Sequence, residues 1–412
     1  MEQRFRPEIR QTGERRRSVK RSAGSSSSNA IGATFRASRE ALGLSQSRVS
    51  ELTADLGAPV SRSAICDIER GCNLPGIESL VALCEILQLD SREILERLVL
   101  HPKLAGEHGN GSLEQLKHRA ELLRLNCQYR AATVLCTAIL ERLGPERPAE
   151  PLDLREERAR AELVRAGCLR RSGRTQAAEA AAQRSVRLAT GLDARQALCF
   201  INLARIHMDE GLLTLAQAET EQAVRMAEGT DSPRVRAFAW TARASCFYYT
   251  GRLDESAEAH TRARGFSIES NNIDIQAGIE GSLGTALMDL GHPMAARRQF
   301  ARGVQLAQKA GDPHGELCWT METGWLAFRL DARDEAERCA AAALRIARNG
   351  DNPLPVFSGL WLQHKIERRR NSTKPDRQRI AYLKRLYPRV AAQKGSDIVR
   401  EFRREIMTAS SL

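Results

Sequence analysis

The chain has 412 residues, 42% hydrophobic and 28% charged, with a formal net charge of +12, which reads as a soluble protein of two or three folding units rather than one core. Aromatic residues make up only 5%, and the dominance of alanine, leucine, arginine and glutamate favours helix over strand. No apolar run approaches the ~18 residues needed to span a bilayer, and the charged N-terminus lacks the apolar centre of a secretory signal, so a cytoplasmic protein is expected.

The charge is uneven: residues 1–30 are net +5, residues 31–98 net −3 and residues 361–405 net +9. Basic character at the two ends serves either as a nucleic-acid arm or as a solvated tail. The ten cysteines form no CxxC pair and have no histidine beside them at ligand spacing. Cys127, Cys168, Cys199 and Cys246 fall singly within helical patterns, as small apolar core residues do. Neither a metal site nor a disulfide is expected, and no cofactor is implied.

Residues 1–29 run through Arg15-Arg16-Arg17-Ser18-Val19-Lys20-Arg21 into Ser25–Ser28 with almost nothing to bury, and read as a disordered basic arm. Residues 30–99 then hold five short amphipathic segments. Ile31, Phe35, Leu42 and Leu44 mark the first, stopped by Gly43, and Ser45 caps a second carrying Val49, Leu52 and Leu56. After the break at Gly57-Ala58-Pro59, Ser61 caps a third helix with Ile65 and Ile68, ended by Gly71. Ile77, Leu80, Leu83 and Leu87 mark a fourth, and Ile94, Leu95 and Leu98 a fifth. Together they predict one small all-α domain.

Ser45-Gln46 and the run Ser61-Arg62-Ser63-Ala64-Ile65-Cys66-Asp67-Ile68-Glu69-Arg70-Gly71 resemble the phage-repressor-like (xenobiotic-response-element, XRE) helix-turn-helix family. The likeness extends from Ile31 to Leu98. It implies a third helix laid in the major groove of double-stranded DNA. Ser61, Arg62 and Ser63 would then meet base edges with Asp67 one turn further on, and Arg62 could bond guanine bidentately. Ser45, Gln46 and Arg70 would hold phosphates. Arg39 and Glu69 match a buried ion pair of the family, and a glutamate on an apolar core helix needs such a partner in any case. The 19-residue separation of Gln46 and Ile65 exceeds that of the compact family form, with the extra length around Thr53–Pro59. A homodimer reading two half-sites follows from the resemblance, and the basic arm offers backbone or minor-groove contacts that the acidic head lacks.

A linker over residues 100–112, from His101-Pro102 to Asn110-Gly111, ends at the capping box Ser112-Leu113-Glu114-Gln115. Beyond it, turns recur at Gly173, Gly211, Gly251, Gly291 and Asp331, spaced by 38, 40, 40 and 40 residues. A near-constant period of this length announces stacked helical hairpins. Five places after each turn stands Ala178, Ala216, Ser256, Ala296 or Ala336; seven places before it stands Ala166, Ala204, Ala244, Gly284 or Gly324. Small side chains at both points let paired helices approach closely. Residues 113–350 thus resemble tetratricopeptide (TPR) repeats, with a longer unit, irregular prolines and a Pro-rich insert from Pro145 to Pro151.

That resemblance implies a solenoid whose concave groove is built by the first helix of each hairpin. The groove would display Asn202, Arg205 and Met208; Tyr248 and Tyr249; Thr285 and Met288; and Trp325 and Phe328. Asparagine can hold a peptide amide, and the aromatic and methionine side chains offer apolar pockets; the alternative is that they pack neighbouring hairpins. Residues 351–412 read as basic amphipathic helices, with Trp361, Leu362, Ile366, Ile380, Leu383 and Leu386 covering the end of the stack.

No GxxxxGK[ST], HExxH or GxSxG motif is present, and Gly281-Ser282-Leu283-Gly284 falls mid-helix as a packing feature, so no catalytic residue is expected. The fold expected is all-α: a five-helix repressor-like domain, a TPR-like α-solenoid of about six hairpins and a C-terminal helical cap. The function expected is that of a sequence-specific DNA-binding transcriptional regulator whose solenoid binds a peptide or protein signal. The combination resembles the peptide-responsive quorum regulators of bacteria. Two alternatives stay open: a scaffold or adaptor whose head makes only protein contacts, and a toxin–antitoxin or phage-type repressor.

Overall fold

The computed structural model describes residues 26–108, 112–147, 149–370, 376–391 and 396–407. These residues form α-helices with no strand among them, in two units, Met1–Pro102 and Lys103–Leu412.

The first unit is the expected five-helix head: α1 (Ser26–Ala41), α2 (Gln46–Asp55), α3 (Arg62–Glu69), α4 (Ile77–Ile86) and α5 (Ser91–His108). Its core joins Ile31 and Phe35 of α1 to Val49, Ile65, Ile68, Leu80, Leu83 and Ile94. Gly32 lets α1 and α3 touch, because a Cβ there would lie 2.4 Å from the Ile68 carbonyl oxygen. Two boundaries differ from expectation. Helix α1 begins at Ser26, inside the segment read as a disordered arm, and the rest of that arm, residues 1–25, lies outside the described residues. Helix α5 continues to His108, so most of the expected linker is helical, and residues 109–111 lie outside the described residues.

The second unit is a stack of six hairpins. They are α6 and α7 (Leu113–Leu125, Tyr129–Arg142), α8 and α9 (Leu152–Arg171, Thr175–Leu188), and α10 and α11 (Asp193–Glu210, Leu213–Glu228). Next come α12 and α13 (Pro233–Tyr249, Leu253–Glu269), α14 and α15 (Ile273–Asp289, Pro293–Ala310), and α16 and α17 (Pro313–Arg329, Arg333–Ala347). The period follows from backbone geometry. Each hairpin turn needs one residue in the left-handed region, filled by Gly173, Gly211, Gly251 and Gly291, and by Cys127 (φ 59°) and Asp331 (φ 58°) where glycine is missing. A second signal shares the period: Ser232, Asn272, Asp312 and Asn352 each cap the following helix by accepting from a backbone N–H. The alanines flanking each turn are fully buried, as close helix pairing requires.

The Pro-rich insert is tied down by Arg158, which bonds the Glu150 carboxylate at 2.8 Å and the carbonyls of Gly144 and Leu143 at 2.8 and 2.7 Å. Helix α18 (Pro353–Arg369) continues the stack; α19 (Arg377–Val390) and α20 (Asp397–Phe402) fold back on it. Trp361, Leu383, Leu386 and Phe402 form the core of this cap, while Leu362 and Ile366 pack towards α16 and α17.

The stack coils far enough for its beginning to meet its end. The Asp351 carboxylate accepts from the backbone N–H of Tyr129 at 3.0 Å and of Arg130 at 2.7 Å, capping α7, while Asp351 N–H donates to the Cys127 carbonyl at 3.1 Å. Tyr129, buried at 1% exposure, also reaches His314 of the sixth hairpin, 3.2 Å from hydroxyl to Nδ1.

Candidate functional site

In the head, Arg39 and Glu69 form the expected ion pair: Nε and Nη2 donate to the two carboxylate oxygens at 2.6 and 3.0 Å. Nη1 donates to the Leu44 carbonyl at 2.9 Å, and the hydrogen bonds to Glu69 hold the Arg39 guanidinium above its usual pKa against the effect of burial. Gln46 joins the pair, its amide donating to Glu69 at 2.8 Å. The Gln46 side chain, expected on a phosphate, is therefore engaged inside the head. Its neighbour Ser45 is exposed and caps α2 by accepting from Arg48 N–H at 3.0 Å.

Helix α3 opens at Ser61, whose hydroxyl accepts from Ala64 N–H at 3.2 Å and lies 3.0 Å from the Ser63 hydroxyl. Ser61, Arg62, Ser63 and Arg70 are exposed and Asp67 is half-buried, so the first turn of α3 presents a polar edge to solvent. The lengthened turn before it is fixed. Thr53, wholly buried, accepts from Val60 N–H at 3.1 Å, and Ser50 donates to the Val60 carbonyl at 2.7 Å. The Val60 side chain enters the core. Both polar groups of one residue are thereby held from α2, which sets where α3 starts.

In the second unit, the concave side of the coil frames an open lumen of about 480 Å³ lined by the inner faces of α6, α8, α10, α12, α14 and α16. Its wall is rich in arginine. Arg124 pairs with Glu121 at 2.9 Å and Arg170 with Asp209 at 2.7 Å. Arg171 donates to Nε2 of His314. A guanidinium can only donate, so Nε2 accepts and the neutral ring carries its proton on Nδ1, which donates to the Tyr129 oxygen. Burial and the arginines 171, 170 and 124 push the His314 pKa well below its ordinary value, in keeping with that neutral ring. Arg205 has no hydrogen bond or ion pair among the described residues; burial, reinforced by Arg170 and Arg171, pushes it down to about 10.

The expected groove residues divide. Arg205, Met208 and Tyr249 line the lumen, and Tyr248 stands beside it, donating to Asp289 at 2.6 Å. Asn202 instead straps α10 to α8, its amide donating to the Leu163 carbonyl at 3.0 Å. Thr285 bonds back to the Gly281 carbonyl at 3.3 Å, and Met288 packs against the Ala296–Phe300 cluster. Trp325 and Phe328 lie in the seam between α16 and the cap: the indole donates to Ser358 at 3.1 Å, and the Arg369 guanidinium covers the Phe328 ring at 3.7 Å. The closeness of the cap explains this, because the last hairpin has a neighbour on its outer side. Gly281 is a packing position, as expected, lying beneath the Trp319 ring. Arg124, Tyr129, Arg170, Arg171 and His314 escape the repeat register because the coil, not the period, brings them together.

Residues 30–98 match a family model described as a helix-turn-helix domain. The head is a helix-turn-helix domain. Within the helix-turn-helix domain, α2 and α3 are the paired helices and residues 56–61 the turn between them. No curated protein matches the chain. Among solved structures, a Rap protein complexed with Competence and Sporulation Factor is similar to 93% of this chain over 98% of its own, at 10% identity and a TM-score of 0.52. PlcR of Bacillus thuringiensis, in complex with the peptide PapR7 and DNA, is 15% identical over 68% of this chain and 95% of its own, with a TM-score of 0.40. The apo form of the competence regulator ComR from Streptococcus vestibularis is 12% identical over 69% and 93%, with a TM-score of 0.34. The likeness to the Rap protein is one of fold, and it assigns the second unit to the TPR-like solenoids.

Proposed function

We propose that this chain is a DNA-binding transcriptional regulator of the XRE type, acting without catalysis, whose solenoid lumen receives a peptide or protein signal. The observation that carries the reading is the first turn of α3 in a helix-turn-helix domain. Ser61, Arg62 and Ser63 are exposed together there, and Arg62 makes no side-chain hydrogen bond or ion pair among the described residues. A guanidinium left free at the start of a recognition helix suits the acceptor edge of guanine in the major groove. A homodimer on two half-sites and a cytoplasmic setting belong to the same reading. Support for the receiver role comes from the concave lumen and from a protein of this fold having been solved complexed with Competence and Sporulation Factor.

The test is a mobility-shift titration of the full chain on promoter DNA, repeated with Arg62→Ala. Loss of a bidentate guanine contact costs about 1–3 kcal/mol of discrimination, so the variant should weaken specific binding about 5- to 150-fold while non-specific binding changes little. The acidic balance of the head favours a second reading, a scaffold whose head contacts protein only. Absence of any shift at low salt supports that reading and removes the first.

A further inference from the structure

The wall of the lumen carries five arginines, at 124, 170, 171, 205 and 234, against the four acids Glu121, Asp209, Asp274 and Asp312, so one positive charge is left over. Arg170 is matched by Asp209 and Arg124 by Glu121. The Asp312 carboxylate is turned to the backbone, accepting from His314 N–H at 3.1 Å. Arg234 acts on Asp274, whose carboxyl it favours in the charged form, and this leaves Arg171, whose hydrogen-bond partner is a neutral imidazole, and Arg205, which has no hydrogen bond or ion pair among the described residues. The two stand on the first helices of adjacent hairpins and both line the cavity. Uncompensated charge in a concavity raises the free energy of the empty state, and an anion that enters removes that cost.

We propose that the lumen takes its ligand by a carboxylate held by Arg171 and Arg205. This rests on the reading of the lumen as the signal site and adds the chemistry the signal must carry. Guanidinium is the cation best shaped for a carboxylate, since its planar fork offers two parallel donors. The depressed pKa of Arg205 agrees, as a partner anion is what would restore it. In an extended peptide, the carboxylate is either the free C-terminus or an aspartate or glutamate side chain. Arg171 would exchange an imidazole for a charged acceptor, releasing His314 and Tyr129 from their present partner.

The test uses three random heptapeptide libraries passed over the immobilised full chain. One has free C-termini and no acidic side chains, one is C-terminally amidated with a single glutamate, and one is amidated with no carboxylate at all. The expected result is retention from the first or the second library, which also identifies the source, and at least tenfold weaker binding of the retained peptides once that carboxylate is removed. Arg205→Gln and Arg171→Gln should each lose about 10- to 100-fold, while Arg205→Lys, which keeps the charge but not the fork, should lose less. Circular dichroism and unchanged DNA retention check that the variants fold. Equal retention from the carboxylate-free library, or indifference to both glutamine variants, overturns the carboxylate site and leaves the lumen as a peptide receptor. No retention from any library overturns the carboxylate site and the peptide form of the receptor reading, leaving a protein as the signal.

Discussion

Glu322 on α16 shows how strongly single positions on the concave face are constrained. Burial raises its pKa to about 7, with Asp289 pushing up and Arg329 only partly opposing. A carboxyl whose folded pKa lies above its unfolded value binds its proton more tightly in the folded state, so the Glu322 contribution to stability falls as pH climbs from about 4.5 through about 7, and then levels off. Glu322→Gln should abolish that slope and leave the protein more stable than the wild type above neutrality. Melting temperatures at pH 5 and pH 8 check the sign. At this scale the sequence is readable in places and silent in others. The partnership of Arg39 with Glu69 follows from the need of a buried glutamate for a cation. Nothing in the local pattern indicates that Gln46 would become a third member, because that depends on how α2 leans on α3. Arg171 and His314 are 143 residues apart, and no periodicity links them.

Between elements, the turn from α2 to α3 carries the most information. Extra residues around Thr53–Pro59 cast doubt on the placing of α3, and the structure answers with Thr53 and Ser50 gripping Val60 from both sides. Thr53→Val keeps the shape but removes the acceptor for Val60 N–H, leaving a buried donor unsatisfied at a cost of about 1–3 kcal/mol. The variant should lower the unfolding free energy of the head and weaken DNA retention although no groove-facing residue has changed; urea unfolding and mobility shift on the same preparation check both. The hairpins themselves were legible because their turns demand a left-handed residue, which glycine marks in the sequence. The cap helices were legible from their apolar stripe. What the stripe does not reveal is that α18 would take Trp325 and Phe328 into its own seam. Aromatic residues at groove register and aromatic residues at a hairpin seam look alike until the neighbouring helix is placed.

For the solenoid unit, the decisive contact is the Asp351 carboxylate on the N-terminus of α7. It satisfies two otherwise free backbone donors and complements the helix dipole, so Asp351→Ala should cost about 1–2 kcal/mol. Amide exchange in α6 and α7 should quicken, with α10–α13 unaffected. Uniform acceleration across the stack would show that the contact does not act as a closure. Curvature of this kind is a sum of small rotations between hairpins, and the side chains that set each rotation are spread over every interface. The sequence therefore announces the number of hairpins but not how far round they travel.

Closure also changes how such a stack can come apart. An open array of repeats melts like a zipper, because its terminal units have one neighbour each and loosen first. Here the first hairpin has a neighbour on both sides, one of them 222 residues away along the chain, so the array has no loose end on its N-terminal side. Its formation must wait for that long loop to shut, a late and slow event, and its undoing should be a single event rather than a gradual fraying.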